Sequence, residues 1–141
     1  MKIEISGHCH CGAVAYSGAV EPAYACDCHC LDCRRLSGSG HLALLLVPAA
    51  DVKFRGPVQH YSAVVDSGAT AANHFCSVCG SQIYKTGQLM ADMAFIVAST
   101  LDDPEVFQPQ ASLYTSRALS WDQPNPGTMH FDKMPPVEAA G

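Results

Sequence analysis

Eight cysteines stand in three tight groups along this chain: Cys9-x-Cys11, Cys26-x-Cys28-x-Cys30-x-x-Cys33 and Cys76-x-x-Cys79. Thiolates spaced by one or two residues reach a common centre without backbone strain. The pattern therefore reads as metal ligation, and zinc is the ion that suits sulfur donors in tetrahedral geometry. Cys9 and Cys11 with Cys76 and Cys79 make a closed set of four, the arrangement of a structural site that pins two distant turns together. In zinc-finger peptides such binding contributes on the order of 10 kcal/mol to folding, a decisive amount for a marginal domain. Cys28, Cys30 and Cys33 differ, because three thiolates from one short segment leave a fourth position for water or substrate. A thiol bound there would be held as thiolate, the form that attacks a carbonyl, and an aldehyde oxygen bound there would be polarised. Two zinc ions per chain are expected, one structural and one labile.

The neighbours of these ligands carry two readings each. Cys26 either closes the second site as a fourth thiolate or packs as a small buried hydrophobe. His29 points away from Cys28 and Cys30 if the segment is extended, which makes it a spectator. His8, His10 and His74 are read as solvated or as hydrogen-bonding supports of the ligands. Arg34 and Arg35 either offset the anionic thiolates, bind a substrate carboxylate, or are simply solvated. Ser37 and Gly38 cap a turn, while Tyr114 and Trp121 either line a pocket beside the open zinc or serve packing.

The elements that must position these groups follow from the punctuation of the chain. Lys2 to Ser6 and Gly12 to Ser17 read as short strands flanking the first cysteine turn. Leu31 to Leu36 reads as a helical turn stopped by Ser37-Gly38-Ser39-Gly40. Leu42 to Val47 is a buried strand, and Val52 to Arg55, Val58 to Val65, Gln82 to Lys85, Met93 to Ser99 and Ala111 to Thr115 continue the series. His74-Phe75-Cys76-Ser77-Val78-Cys79-Gly80 has the form of a zinc knuckle, with a strand expected on each side. Regular spacing of the breaks favours antiparallel sheets. Residues 1–123 are expected to form one zinc-binding domain. Residues 124–141 are a proline-rich tail of that domain, extended at first and frayed at its end.

Composition sets the outer limits. With 141 residues, 48% apolar and 15% charged, the chain suits one compact domain. A formal charge of -5, with eight Lys and Arg scattered along the sequence, provides no basic stripe, so nucleic acid is not an expected partner. Leu42 to Val47 is too short to span a bilayer, and Met1 to Ser6 has no apolar core of signal-peptide type, so a cytoplasmic protein without membrane contact is expected. A reducing compartment turns eight thiols toward metal rather than disulfides.

Three segments together resemble one known family. Gly7-His8-Cys9-His10-Cys11-Gly12-Ala13-Val14, Cys28-His29-Cys30-Leu31-Asp32-Cys33-Arg34-Arg35-Leu36-Ser37-Gly38 and Phe75-Cys76-Ser77-Val78-Cys79-Gly80, with Ser116-Arg117-Ala118-Leu119-Ser120-Trp121 further on, are similar to the glutathione-dependent formaldehyde-activating enzymes, a family that includes centromere protein V. The resemblance spans roughly residues 7 to 121. It implies a mainly β, Mss4-like fold of stacked antiparallel sheets with zinc-binding turns. It further implies a structural zinc on Cys9, Cys11, Cys76 and Cys79, and a second zinc on Cys28, Cys30 and Cys33 that carries the catalysis. The implied activity is that of a carbon–sulfur lyase acting on a thiol–aldehyde adduct, as when formaldehyde and glutathione form S-(hydroxymethyl)glutathione. Two other readings stand beside it: a zinc-binding module that recognises a protein partner without catalysis, and a thiol redox sensor.

Overall fold

The computed structural model describes residues 1–135, so residues 136–141, the end of the proline-rich tail read above, lie outside the described residues. Among the described residues the strands are β1 (Ile3–His8), β2 (Ala15–Val20), β3 (Tyr24–Cys28), β4 (Leu42–Pro48), β5 (Val52–Arg55), β6 (Val58–Val64), β7 (Thr70–Cys76), β8 (Gln82–Gly87), β9 (Met93–Val97), β10 (Ala111–Leu113) and β11 (Met129–His130). One α-helix, α1 (Leu31–Ser37), and several single 3-10 turns complete the set. Two compact units divide the chain. The first takes Met1–Tyr24 and Leu45–Phe107, and the second takes Ala25–Leu44 and the chain from Gln108 onward.

In the first unit β1, β2 and β5 form an antiparallel sheet in the order β1-β2-β5, while β6 to β9 form antiparallel neighbours in the order β9-β8-β7-β6. Side chains directly opposite across an antiparallel pair share a face. Gly7 faces Tyr16 and Tyr16 faces Phe54, so these three make a row across the smaller sheet. Ile96, Tyr84, His74 and His60 make the corresponding row across the other strands. Phe54 stacks on Tyr84 with ring centroids 3.9 Å apart, and Tyr84 stacks on His74 at 4.1 Å. The two rows thus pack face to face, giving the stacked antiparallel sheets expected of this chain. Glycine is required at position 7, because a Cβ there would run into the Tyr16 hydroxyl and the Thr100 carbonyl. The Tyr16 ring lies over that gap and its hydroxyl reaches Thr100 Oγ1 at 2.7 Å. Val14, Val20, Ile83 and Ile96 fill the buried interior of this unit.

In the second unit parallel pairs join the antiparallel sheets. β10 runs parallel to β3, with Ala111 opposite Cys26 and Leu113 opposite Cys28, and β11 runs parallel to β10. Parallel neighbours cannot be joined by a tight turn, so the partners are remote in sequence: Ala25 N–H donates to Gln110 Oε1, 85 positions away. The tail after Trp121 supplies the two-residue β11. Helix α1 starts at Cys30, whose backbone is extended and whose sulfur accepts from the Cys33 amide, and it ends at Gly38 in the left-handed region at φ 71°. Asp32 in its first turn and Arg34 and Arg35 in its last complement the helix dipole. β4, an almost unbroken apolar run with four consecutive buried residues, carries the chain from the second unit into the first. Among the described residues no helix is long and apolar enough to cross a membrane.

Candidate functional site

Two hairpin turns of the first unit build the four-thiol cluster. After β1 the chain turns at Cys9, where its amide donates to Val14 O at 3.0 Å and Gly12 N–H returns to Cys9 O. Gly12 sits at φ 81°, a conformation that side chains disfavour. After β7 a matching turn places Gly80 at φ 80° with its amide on Cys76 O. Both turns aim amides at sulfur: Val14 N–H at Cys9 Sγ (3.2 Å), and Val78 N–H and Cys79 N–H at Cys76 Sγ (3.4 and 3.5 Å). The four Sγ atoms lie within 4.8 Å of one another. Cys9 Sγ is 3.6 Å from Cys11 Sγ, and Cys11 Sγ is 3.8 Å from Cys76 Sγ. A tetrahedral zinc with sulfurs at about 2.3 Å sets neighbouring sulfurs about 3.8 Å apart, so the donor set and its spacing fit that ion. Ser81 joins the turns, its Oγ accepting from the His10 amide at 3.1 Å and lying 3.2 Å from Cys79 Sγ. The Ser81 hydroxyl first, then its amide and the backbone of Cys11, draw the Cys79 thiol down to about 5, which favours the ligating thiolate.

The second cluster lies wholly in the second unit. β3 delivers Cys28, the chain leaves the strand at His29, Cys30 caps α1, and Cys33 is buried in the first turn of that helix. The three Sγ atoms again lie within 4.8 Å of one another. Hydrogen bonding with Cys30 and Cys33, reinforced by burial, pushes the Cys28 thiol well above the usual range. Three thiols this close do not ionise together without a cation, and a divalent metal removes that obstacle. Cys26 is 2% exposed and does not belong to the converging set, which agrees with the reading of Cys26 as a buried small side chain. Both clusters can therefore hold a metal ion.

The sequence model of the glutathione-dependent formaldehyde-activating enzymes matches residues 4–117, most of the chain. The chain belongs to that family. A Halomonas elongata protein provisionally named a glutathione-dependent formaldehyde-activating enzyme is 32% identical over 104 residues, covering 70% of this chain and 66% of the relative. The chain thus spans just under two thirds of that protein's length. A crystal structure of a Rhodobacter sphaeroides protein, solved as a structural-genomics target, covers 72% of this chain and 93% of its own, with TM-score 0.56 and 23% identity; it supports the fold.

Within this family member the remaining residues singled out from the sequence fall into place. His8 Nδ1 is 2.7 Å from Asp102 Oδ1 on the surface, and His74 bonds Thr86 Oγ1 at 2.9 Å, so both are held by hydrogen bonds away from the sulfurs. Trp121 is 68% exposed, so its large ring is not buried in packing, whereas Tyr114 is buried at a left-handed turn. Ser37 Oγ bonds Arg34 O at the end of α1, as a cap should. Arg34 Nε is buried without a hydrogen-bond partner, which separates it from the exposed Arg35. His29 does not belong to the Cys28, Cys30 and Cys33 set; it is 1% exposed, and burial followed by the neighbouring His41 lowers its pKa. His41 and Asp122 were not visible as site residues, because they stand 81 positions apart and follow no ligand spacing. His41 Nδ1 approaches Asp122 Oδ2 at 2.6 Å, and Asp27, its carboxyl raised chiefly by burial, lies 3.7 Å from His41 Nε2.

Proposed function

We propose that this chain is a zinc-dependent carbon–sulfur lyase acting on the adduct of a small thiol and an aldehyde, with glutathione and formaldehyde as the first pair to test. The observation that carries the reading is the convergence of three thiols, Cys28, Cys30 and Cys33, without Cys26 as a fourth. A zinc ion held by three thiolates leaves one position open and favours the thiolate form of a thiol placed there. Formation of the adduct joins sulfur to the carbonyl carbon, moves the C=O π pair onto oxygen, and transfers the thiol proton to that oxygen; cleavage reverses each change. The chain supplies the holding groups. Cys28, Cys30 and Cys33 fix the metal, while the guanidinium of Arg34 supplies a positive charge for a carboxylate of the substrate. Cys9, Cys11, Cys76 and Cys79 take the structural role.

The test is exchange NMR between carbon-13 formaldehyde and its glutathione adduct, with zinc counted in the same samples. Wild type and Cys26→Ala are expected to accelerate exchange and carry equal zinc. Cys30→Ser is expected to lose one zinc equivalent and the acceleration together. No acceleration by wild type over free zinc, or equal acceleration by Cys30→Ser, would overturn the proposal.

A further inference from the structure

Outside both thiol clusters, three ligand-type side chains of the second unit converge. One ring nitrogen each of His29 and His41 and one carboxylate oxygen of Asp122 lie within 4.8 Å of one another, and this set shares no member with either group of cysteines. We propose that His29, His41 and Asp122 form a third metal site, built for a first-row divalent transition ion.

The donor chemistry selects the ion. Two imidazoles and one carboxylate suit iron(II), cobalt(II) or zinc, whereas magnesium and calcium prefer shells made of oxygen alone. Three protein ligands also leave open positions on the ion.

His41 is held as a ligating histidine is held. Its Nδ1 stands 2.6 Å from Asp122 Oδ2, and its Nε2 is 3.7 Å from Asp27 Oδ1. A metal taken by Nδ1 would leave Nε2 facing the Asp27 carboxylate, near enough for Asp27 to support the ring from outside. His29 supplies an independent observation. Its side chain is buried, its Nδ1 has no hydrogen-bond partner, and its ring centroid is 5.1 Å from that of His41. A buried nitrogen without a partner is costly, and a ligand at this position would remove that cost. Gly40 keeps the space open, since a Cβ there would collide with the Asp122 carboxylate. Arg34 acts on His29 with positive charge. Asp27 and Asp122 supply the opposing pair of carboxylates beside His41.

The experiment uses the full chain with its thiolate sites filled by zinc, titrated with cobalt(II) as the probe and followed by visible absorption, with both metals counted. The expected result is one further cobalt equivalent that has weak d–d bands and no intense sulfur-to-cobalt charge transfer. Asp122→Asn and His41→Gln are expected to raise the cobalt dissociation constant about tenfold or more while the zinc count stays that of wild type. The zinc count separates this site from the thiolate reading, because loss of thiolate zinc appears there and not in the cobalt bands. Absence of the further equivalent, its undiminished binding in both variants, or a charge-transfer spectrum that places the cobalt on sulfur would each overturn the proposal.

Discussion

Tyr16 illustrates how one side chain of the core reports on pH. Thr100 Oγ1 donates to Val97 O at 2.8 Å, so it must accept from the Tyr16 hydroxyl. Burial pushes the Tyr16 phenol up to about 12. A phenol raised in the folded state adds stability that is fully present below its unfolded value of about 10. That contribution is lost as pH rises through about 12. Melting temperature measured from pH 8 upward is therefore expected to fall on the alkaline side, and Tyr16→Phe is expected to flatten that fall. At neutral pH the same variant is expected to lose about 1 kcal/mol, the net worth of one neutral hydrogen bond. A variant with an unchanged alkaline limb would contradict the assignment.

At the scale of elements, two glycines test different kinds of constraint. Gly38 ends α1 at φ 71°, its amide on Arg34 O at 3.1 Å, and a Cβ there would meet nothing within 4 Å. Only the left-handed conformation opposes a side chain, so Gly38→Ala is expected to cost about 1 kcal/mol in denaturant unfolding, and Gly38→Asn less. Gly7 has ordinary strand geometry but no room, with the Tyr16 hydroxyl and the Thr100 carbonyl in the way. Gly7→Ala is expected to cost more than Gly38→Ala, on the order of 1–3 kcal/mol or above, because β1 or the Tyr16 ring must shift. Equal losses would mean that Tyr16 swings away freely. Gly38 stands in a stretch that reads correctly as a helix stop, whereas the strand read over Lys2 to Ser6 stopped one residue short of Gly7. The crowding at Gly7 comes from residues far along the chain.

For the whole molecule the two thiol clusters predict an order of metal loss. Four thiolates supported by amides from two hairpin turns enclose an ion more completely than three thiolates with an open position. Dialysis against increasing chelator, with zinc counted and unfolding followed by circular dichroism, is expected to strip the Cys28, Cys30 and Cys33 site first with little loss of strand signal. Removal from Cys9, Cys11, Cys76 and Cys79 is then expected to destabilise the first unit, because an ion held there would join turns 65 positions apart. Simultaneous loss with one unfolding transition would contradict that order.

The sequence by itself determined the short-range chemistry. Cys9-x-Cys11, Cys76-x-x-Cys79 and Cys28-x-Cys30-x-x-Cys33 each bring their sulfurs together through one turn. The first two turns close on Gly12 and Gly80 at φ > 0 and the third on the Cys30 cap of α1, so the clusters, the knuckles, α1 and most strands were legible. Only the tertiary structure decided what depends on remote pairing. The parallel alignment of β10 with β3 was among these, as was Cys26's place outside the converging thiols. So was the burial of His29 beside His41 and Asp122. Parallel strands and buried polar clusters join residues separated by most of a domain, and no local periodicity records which of them will meet.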